Sequence, residues 1–172
     1  MFSALLRDVP AERTPLVSLA AGVAVARSIE SLSDAETALK WPNDVLITGR
    51  KVCGIIGELS SSGDYLVVGI GVNVAHESGE LPDDLGATSV KVESRITRRD
   101  DLCVAILKEL DSVIAQGRWM DEYRRRCATI GARVRVDMGD RVIEGVADDV
   151  RDDGALVVAG EAIVAGDVVH VR

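Results

Sequence analysis

The stretch that decides the fold is K-W-P-N-D-V-L-I-T-G-R-K, from Lys40 to Lys51. Pro42 cannot donate a hydrogen bond to a neighbouring strand, so a strand that enters this stretch must end there. Asn43-Asp44 tolerates turn geometry, and Thr48-Gly49-Arg50 separates two apolar runs. The pattern predicts three short strands joined by tight turns, over 37–40, 45–47 and 51–58.

The segments on both sides of this stretch extend the sheet and cover it. Phe2–Leu6 and the long run Tyr65–Val74 predict two more strands. Thr14-Pro15 predicts a helix start, with Thr14 as the N-cap, and the helix that follows would be apolar on nearly every side. Such a helix is buried. We therefore expect an α+β fold, with a mixed or antiparallel sheet packed against helices.

The second half of the chain predicts two helices and a small all-β unit. Residues 75–93 are typical of a loop, and Thr97–Asp100 resembles a capping box before an amphipathic helix. A shorter helix is expected over 118–127. After Gly131 the pattern changes to short alternating strands, which predicts a small SH3-like β-barrel. We expect two domains, over residues 1–130 and 131–172.

Composition limits the classes of function. The 172 residues carry a net charge of −8 with a pI near 4.8, which argues against a general nucleic-acid binder. Two isolated histidines do not predict a zinc site, and three widely spaced cysteines predict reduced thiols. No uninterrupted apolar run reaches the length of about 20 residues that spans a bilayer. These features predict a cytoplasmic protein that does not bind membranes.

The quoted stretch also contains residues that could bind a substrate or take part in catalysis. A hairpin can bring Lys51 and Asp44 to one surface, where a lysine could neutralise an anionic substrate and a carboxylate could accept a proton. The alternative is an exposed salt bridge worth under about 1 kcal/mol, and the spacing alone favours it. Gly54 and Gly57 predict either a ligand lying against the backbone or close helix packing. Asn73 could contact a phosphate or a magnesium-bound water, or serve only as a turn residue.

Three runs in this sequence resemble the central domain of biotin–protein ligases. They are K-W-P-N-D at 40–44, R-K-V-C-G-I-I-G-E at 50–58 and V-V-G-I-G-V-N-V at 67–74. Residues 133–172 resemble the C-terminal SH3-like domain of the same family. The resemblance implies a class II synthetase-like ligase core followed by a small barrel. It also implies that biotin and ATP, with Mg²⁺, form biotinyl-5'-AMP, and that biotin then passes to a lysine of a biotin carboxyl carrier domain.

The resemblance further implies a role for each motif residue, without assigning a protein ligand to the metal. Lys51 would contact the biotin carboxylate and the α-phosphate, and Asp44 would orient or deprotonate the acceptor lysine. The remaining roles are biotin binding by Gly54, Ile55 and Ile56, and ATP binding by Lys40, Asn43 and Asn73.

The family's G-R-G-R-x-G-R-x-W loop is not found in this sequence, and Met1–Arg7 resembles the strand that follows that loop. We therefore expect an N-terminally truncated ligase core, inactive or incomplete, that binds the adenylate weakly because basic clamps supply much phosphate affinity. One alternative is a non-catalytic protein that binds the acceptor domain or forms a homodimer through an open sheet edge. Another is a lipoate ligase-type acyltransferase, against which the full motif set counts.

Overall fold

The computed structural model describes residues 1–7, 9–10, 13–81, 86–94 and 98–171. Within these ranges the chain forms ten strands and four helices. The elements are β1 (Phe2–Arg7), α1 (Thr14–Leu32), β2 (Thr37–Lys40), β3 (Asp44–Ile47), β4 (Arg50–Leu59), β5 (Tyr65–Val72), α2 (Val90–Ser94), α3 (Arg99–Gln116), α4 (Met120–Arg126), β6 (Arg133–Asp137), β7 (Val142–Val150), β8 (Leu156–Val158), β9 (Glu161–Ile163) and β10 (Asp167–His170).

The first sheet has the strand order β1-β5-β4-β3-β2, and its strand pairs are antiparallel. The predicted meander is thus confirmed. Thr48 and Gly49 both have positive φ, 51° and 75°, between β3 and β4. A tight turn with two such residues matches the right-handed twist of the strands that it joins. The hairpin that carries Asp44 and Lys51 is therefore set by local sequence.

Helix α1 lies between this sheet and helices α3 and α4. It is buried along most of its length, and by length and composition alone it is apolar enough to cross a membrane. Its packing on both sides accounts for that composition. A Cβ on Gly57 would lie 3.0 Å from the Ser18 hydroxyl, so this glycine lets the helix approach the sheet closely. The prediction that Thr14 caps the helix was wrong, because the helix begins at Thr14 and Arg13 occupies the cap position without a side-chain hydrogen bond.

The C-terminal residues form a second five-stranded antiparallel sheet, in the order β10-β6-β7-β8-β9. Strand β9 was not predicted, because its three residues are too few to form a pattern. The loop predicted over 75–93 also needs correction, since α2 begins at Val90. Thr97 of the predicted capping box lies outside the described residues.

Trp41 joins the two sheets. Its side chain is 1% exposed, and its indole N–H donates a hydrogen bond to the Gly154 carbonyl at 2.9 Å. Its backbone N–H donates to the Thr129 hydroxyl at 3.1 Å. The C-terminal sheet is therefore fastened directly to the turn that follows β2.

Candidate functional site

Lys51 and Asp44 form an ion pair across the β3–β4 hairpin. The Lys51 Nζ lies 2.6 Å from the Asp44 Oδ1, and the two side chains are 45% and 13% exposed. Asp44 pairs with Gly54 in the strand register, and a Cβ at Gly54 would lie 3.3 Å from the Lys51 Nζ. Glycine at this position therefore leaves room for the lysine to reach the carboxylate.

The pair lines a groove of about 650 Å³, a size typical of small-molecule sites. Five of the eight sequence-predicted site residues line this groove: Lys40, Asp44, Lys51, Gly54 and Asn73. They come from β2, β3, β4 and the end of β5, which the strand order brings side by side. The groove thus joins one ion pair, one further lysine and one amide.

The other three predicted residues do not line this groove. The Asn43 side-chain amide N–H donates a hydrogen bond to the Ile55 carbonyl at 2.9 Å, and the Asn43 backbone carbonyl accepts one from the Ile55 N–H at 2.9 Å. The Ile55 side chain is buried in the core, whereas Ile56 is 62% exposed. All three line a separate depression of about 260 Å³. Asn43 is therefore bonded to the backbone of β4 and does not face the groove.

Residues 86–87, which lie beside β4, form one wall of the groove. The Lys51 N–H donates to the Gly86 carbonyl, and the Thr88 N–H donates back to the Lys51 carbonyl. The Asn73 side-chain amide N–H donates to the Thr88 carbonyl at 3.1 Å. Since this bond uses the amide nitrogen, the amide oxygen of Asn73 is the atom that could accept a hydrogen bond from a ligand or its water.

Cys53 lies in the groove wall but is 1% exposed. Burial raises the pKa of Cys53 to about 12, with the Asp44 charge adding to the effect and Lys51 partly opposing it. A thiol with such a pKa is protonated at neutral pH and is a poor nucleophile. Cys53 is therefore a core residue, and its free thiol agrees with the expectation of reduced thiols.

Sequence reasoning missed the contribution of the last strand. Val169 and His170 from β10 line the groove opposite residues that lie far from them in sequence. The His170 Nε2 lies 3.3 Å from the Thr129 hydroxyl, the same hydroxyl that accepts a hydrogen bond from the Trp41 backbone. No motif around His170 signals this position, because it arises only when the two sheets pack together.

Among the described residues there is no cluster of three or more His, Cys, Asp or Glu side chains that could hold a metal. Among the described residues that line the groove there is one carboxylate, Asp44, and one side-chain amide oxygen, from Asn73. This set is too small for a zinc or calcium cage. It fits Mg²⁺, which keeps several waters and is held largely by the phosphates of a bound nucleotide.

Comparison with known proteins shows the family of this chain. The family model described as biotin/lipoate A/B protein ligase matches residues 1–74, and the model of the biotin protein ligase C-terminal domain matches residues 129–171. The chain is 40% identical to the biotin--[acetyl-CoA-carboxylase] ligase of Mycobacterium tuberculosis over 96% of its length. The chain belongs to the biotin–protein ligase family.

Other relatives of this ligase-family chain agree. It is 41% identical to the bifunctional ligase/repressor BirA of Bacillus subtilis over 48% of its length. The biotin protein ligase from Aquifex aeolicus in complex with biotin and ATP matches with a TM-score of 0.84 at 25% identity, over 99% of this chain and 77% of that one. The predicted α+β fold with its C-terminal domain is thus confirmed. The chain spans 66% of the Mycobacterium tuberculosis relative and 27% of the Bacillus subtilis relative.

Proposed function

We propose that this chain carries the ligase site of a biotin–protein ligase. In this proposal biotin and ATP react to give biotinyl-5'-AMP, and biotin is then transferred to a lysine of a biotin carboxyl carrier domain. The observation that carries the proposal is the Lys51–Asp44 pair, 2.6 Å apart in a groove of about 650 Å³. The similarity to a ligase solved with biotin and ATP supports it.

In the first step a carboxylate oxygen of biotin attacks the α-phosphorus of ATP, and the bond to pyrophosphate breaks. Two anions must approach each other, so a cation between them lowers the barrier. Lys51 is suited to this task because its side chain is 45% exposed and held by a single carboxylate. A lysine ammonium is a compact charge on a flexible stem, able to move from one anion to another.

In the second step the amine of the acceptor lysine attacks the acyl carbon, and AMP leaves. The attacking amine must lose a proton, and among the described lining residues Asp44 is the carboxylate that can accept it. While Lys51 pairs with Asp44, the ammonium occupies one oxygen of the carboxylate. Movement of Lys51 toward the adenylate phosphate would release Asp44 for the second step.

The remaining motif residues are proposed to shape the two ends of the site. The backbone of Gly54, Ile55 and Ile56 would lie beside biotin. Lys40 and Asn43 would act on the ATP side, where Asn43 works by holding the Ile55 backbone. Asn73 would face the nucleotide and Mg²⁺ through its amide oxygen.

We also propose a division into a ligase core over residues 1–130 and an SH3-like domain over 131–172. The expected partner is a biotin carboxyl carrier protein, and the expected location is the cytoplasm. Nucleic acid and membrane are not expected partners. Strand β1 ends its sheet within the described residues, so a homodimer could form by pairing two copies at this edge.

The test is an assay for biotinyl-5'-AMP and for labelling of a carrier domain. It compares the chain itself with a fusion that carries the N-terminal remainder of the Mycobacterium tuberculosis relative. Lys51→Ala is the test variant. Lys91→Ala is its control, since Lys91 is also ion-paired, with Glu77, but does not line the groove. Biotin-dependent activity that Lys51→Ala abolishes and Lys91→Ala retains would support the proposal, whereas inactivity of both proteins, or preference for lipoate, would contradict it.

A further inference from the structure

The end of the groove beside β2 and β10 holds two groups that can bind an anion. Lys40 and His170 both line it, and Lys40 forms no ion pair with any of the described residues. The Lys51 charge nearby is matched by Asp44. Among the described residues of this groove, Lys40 is therefore the cation without a carboxylate partner, and His170 reaches the same space from the C-terminal sheet.

The tautomer of His170 follows from the hydrogen bonds of Thr129. The Thr129 side chain is buried with 0% exposure, so its hydroxyl hydrogen needs an acceptor inside the protein. The hydroxyl oxygen already accepts from the Trp41 backbone N–H. Among the described residues, the other hydrogen-bond partner of the Thr129 hydroxyl is the His170 Nε2, at 3.3 Å. If Thr129 donates to Nε2, the proton of a neutral imidazole must sit on Nδ1.

We propose that Thr129 holds His170 as its Nδ1–H tautomer, and that this N–H and the Lys40 ammonium together bind the polyphosphate of a nucleotide. The identity of the anion rests on the proposed function, whereas the tautomer and the anion site do not. The C-terminal domain then supplies a binding residue to the groove of the core. Loss of this domain would remove the donor as well as the packing around Trp41.

The charge state of His170 suits a hydrogen-bond donor better than a second cation. Burial and the neighbouring Lys40 charge lower the pKa of His170 below its usual value, so the ring is neutral at physiological pH. A neutral N–H beside an ammonium avoids the repulsion that two cations would produce in the empty groove. Pyrophosphate, the leaving group of the first step, would be held less tightly by one cation and a neutral donor than by two cations, and would therefore leave more easily.

The first experiment reads the tautomer directly. The ¹³C and ¹⁵N chemical shifts of the His170 ring distinguish Nδ1–H from Nε2–H in the isotope-labelled chain. Wild type and Thr129→Ser, which keeps the hydroxyl, are expected to show Nδ1–H. Thr129→Val, which has nearly the same shape but no hydroxyl, is expected to shift the ring toward Nε2–H. Nε2–H in the wild-type protein would overturn the proposal.

The second experiment measures binding of inorganic tripolyphosphate by calorimetry, with no biotin or acceptor present. Lys40→Ala and His170→Gln are each expected to weaken binding by about tenfold, the usual scale for one hydrogen bond to a charged group. His170→Asn should bind nearly as wild type, because its amide nitrogen lies where Nδ1 lies, whereas the glutamine amide replaces Nε2. Lys91→Ala, outside the groove, is the matched charge control.

The outcomes separate this inference from the proposed function. Equal tripolyphosphate affinity in wild type and His170→Gln would overturn the inference even if the protein makes biotinyl-5'-AMP. The expected ranking of variants would uphold the anion site even if no biotin is activated.

Discussion

Two groups of ion pairs in this protein each join basic side chains to carboxylates, but they differ in the number of contacts and in burial. In the groove, Lys51 meets Asp44 in one contact, and the lysine is 45% exposed. Beneath the sheet, Arg126 donates to both Glu30 and Glu122, and Arg27 donates to Glu122 and Glu109. The first pair is easily separated, whereas the second group ties α1 to α3 and α4 by several contacts at once.

The difference lies in side-chain type and in burial. Planar guanidinium groups bind carboxylates through several fixed donors, so Arg27 and Arg126 lose little by staying in place. The Arg126 and Glu122 side chains are 23% and 16% exposed, so their contacts are weakly screened. A half-exposed lysine pair contributes little to stability. The ion pairs between helices are thus multiply bonded and partly buried, whereas the pair in the groove is a single, half-exposed contact.

The largest expected effect is on activity. In the fusion that carries the N-terminal remainder of the Mycobacterium tuberculosis relative, Lys51→Ala should lower the formation of biotinyl-5'-AMP by at least about a hundredfold, the scale expected when a group that stabilises developing charge is removed. Its free energy of unfolding should change by less than about 1 kcal/mol. Chemical denaturation and the adenylation assay together check both halves. Wild-type activity of Lys51→Ala would show that the groove pair, like the pairs between the helices, has no role in adenylation.

Arg126→Ala should lower the stability of the protein and leave its activity unchanged, the opposite of Lys51→Ala. Removing its hydrogen bonds to Glu30 and Glu122 should lower the free energy of unfolding by about 2 kcal/mol, since charged partners are left partly buried. Activity per folded molecule should stay near that of the wild type. Arg125→Ala, an exposed neighbour on the same helix, is the control. If Arg125→Ala destabilises the protein equally, the loss of any arginine from this helix has the same effect, and the ion-pair network is not responsible.

Acid should weaken the ion pairs between the helices. Hydrogen bonds from Arg27 and then Arg126 outweigh burial and lower the pKa of Glu122 below its usual value. The unfolded state therefore binds more protons, and the stabilisation is complete above the usual value of about 4.5 and is lost as pH falls through the folded pKa. In this acidic range the stability of Glu122→Gln should fall less steeply with pH than that of the wild type. Parallel curves for the two proteins would contradict the role given to Glu122.

A smaller effect is expected from Gly54→Ala. The new Cβ would lie 3.3 Å from the Lys51 Nζ, and the flexible lysine can move aside, so folding should be little changed. The displaced ammonium should lower adenylation by roughly tenfold, the scale of a misplaced catalytic group. Gly69→Ala on the adjacent strand is the matched control, because its Cβ would meet the Ile56 carbonyl at an ordinary 3.8 Å. Equal activity of the two variants would argue against a requirement for space at Gly54.

How much could be predicted from the sequence depends on how local each feature is. The turn residues Thr48-Gly49 and the proline after β2 are local, so the hairpin and the approach of Lys51 to Asp44 were predicted. Helix α2 was missed because it is short and depends on the Asn73 carbonyl, which accepts from the Val90 N–H, and on the Ser89 hydroxyl, which accepts from the Val92 N–H.

The features that no local pattern could reveal lie at the contact between the two sheets. Trp41 was quoted as part of a motif, but its bond to the Gly154 carbonyl depends on the packing of the second sheet. His170 was assigned no role for the same reason. Local hydrogen-bonding preferences also misled the prediction at Thr14, which lies inside the helix where a cap was expected.

The most direct test of the central claim is the position of Lys51 when the site is filled. The measurement is a crystal structure of the chain, fused to the N-terminal remainder of the Mycobacterium tuberculosis relative, with a non-hydrolysable biotinyl-5'-AMP analogue. We expect the Lys51 Nζ to leave Asp44, from which it is 2.6 Å away in the present structure, and to contact a phosphate oxygen. A bound analogue with the Lys51–Asp44 pair unbroken and no contact to Lys51 would contradict the account.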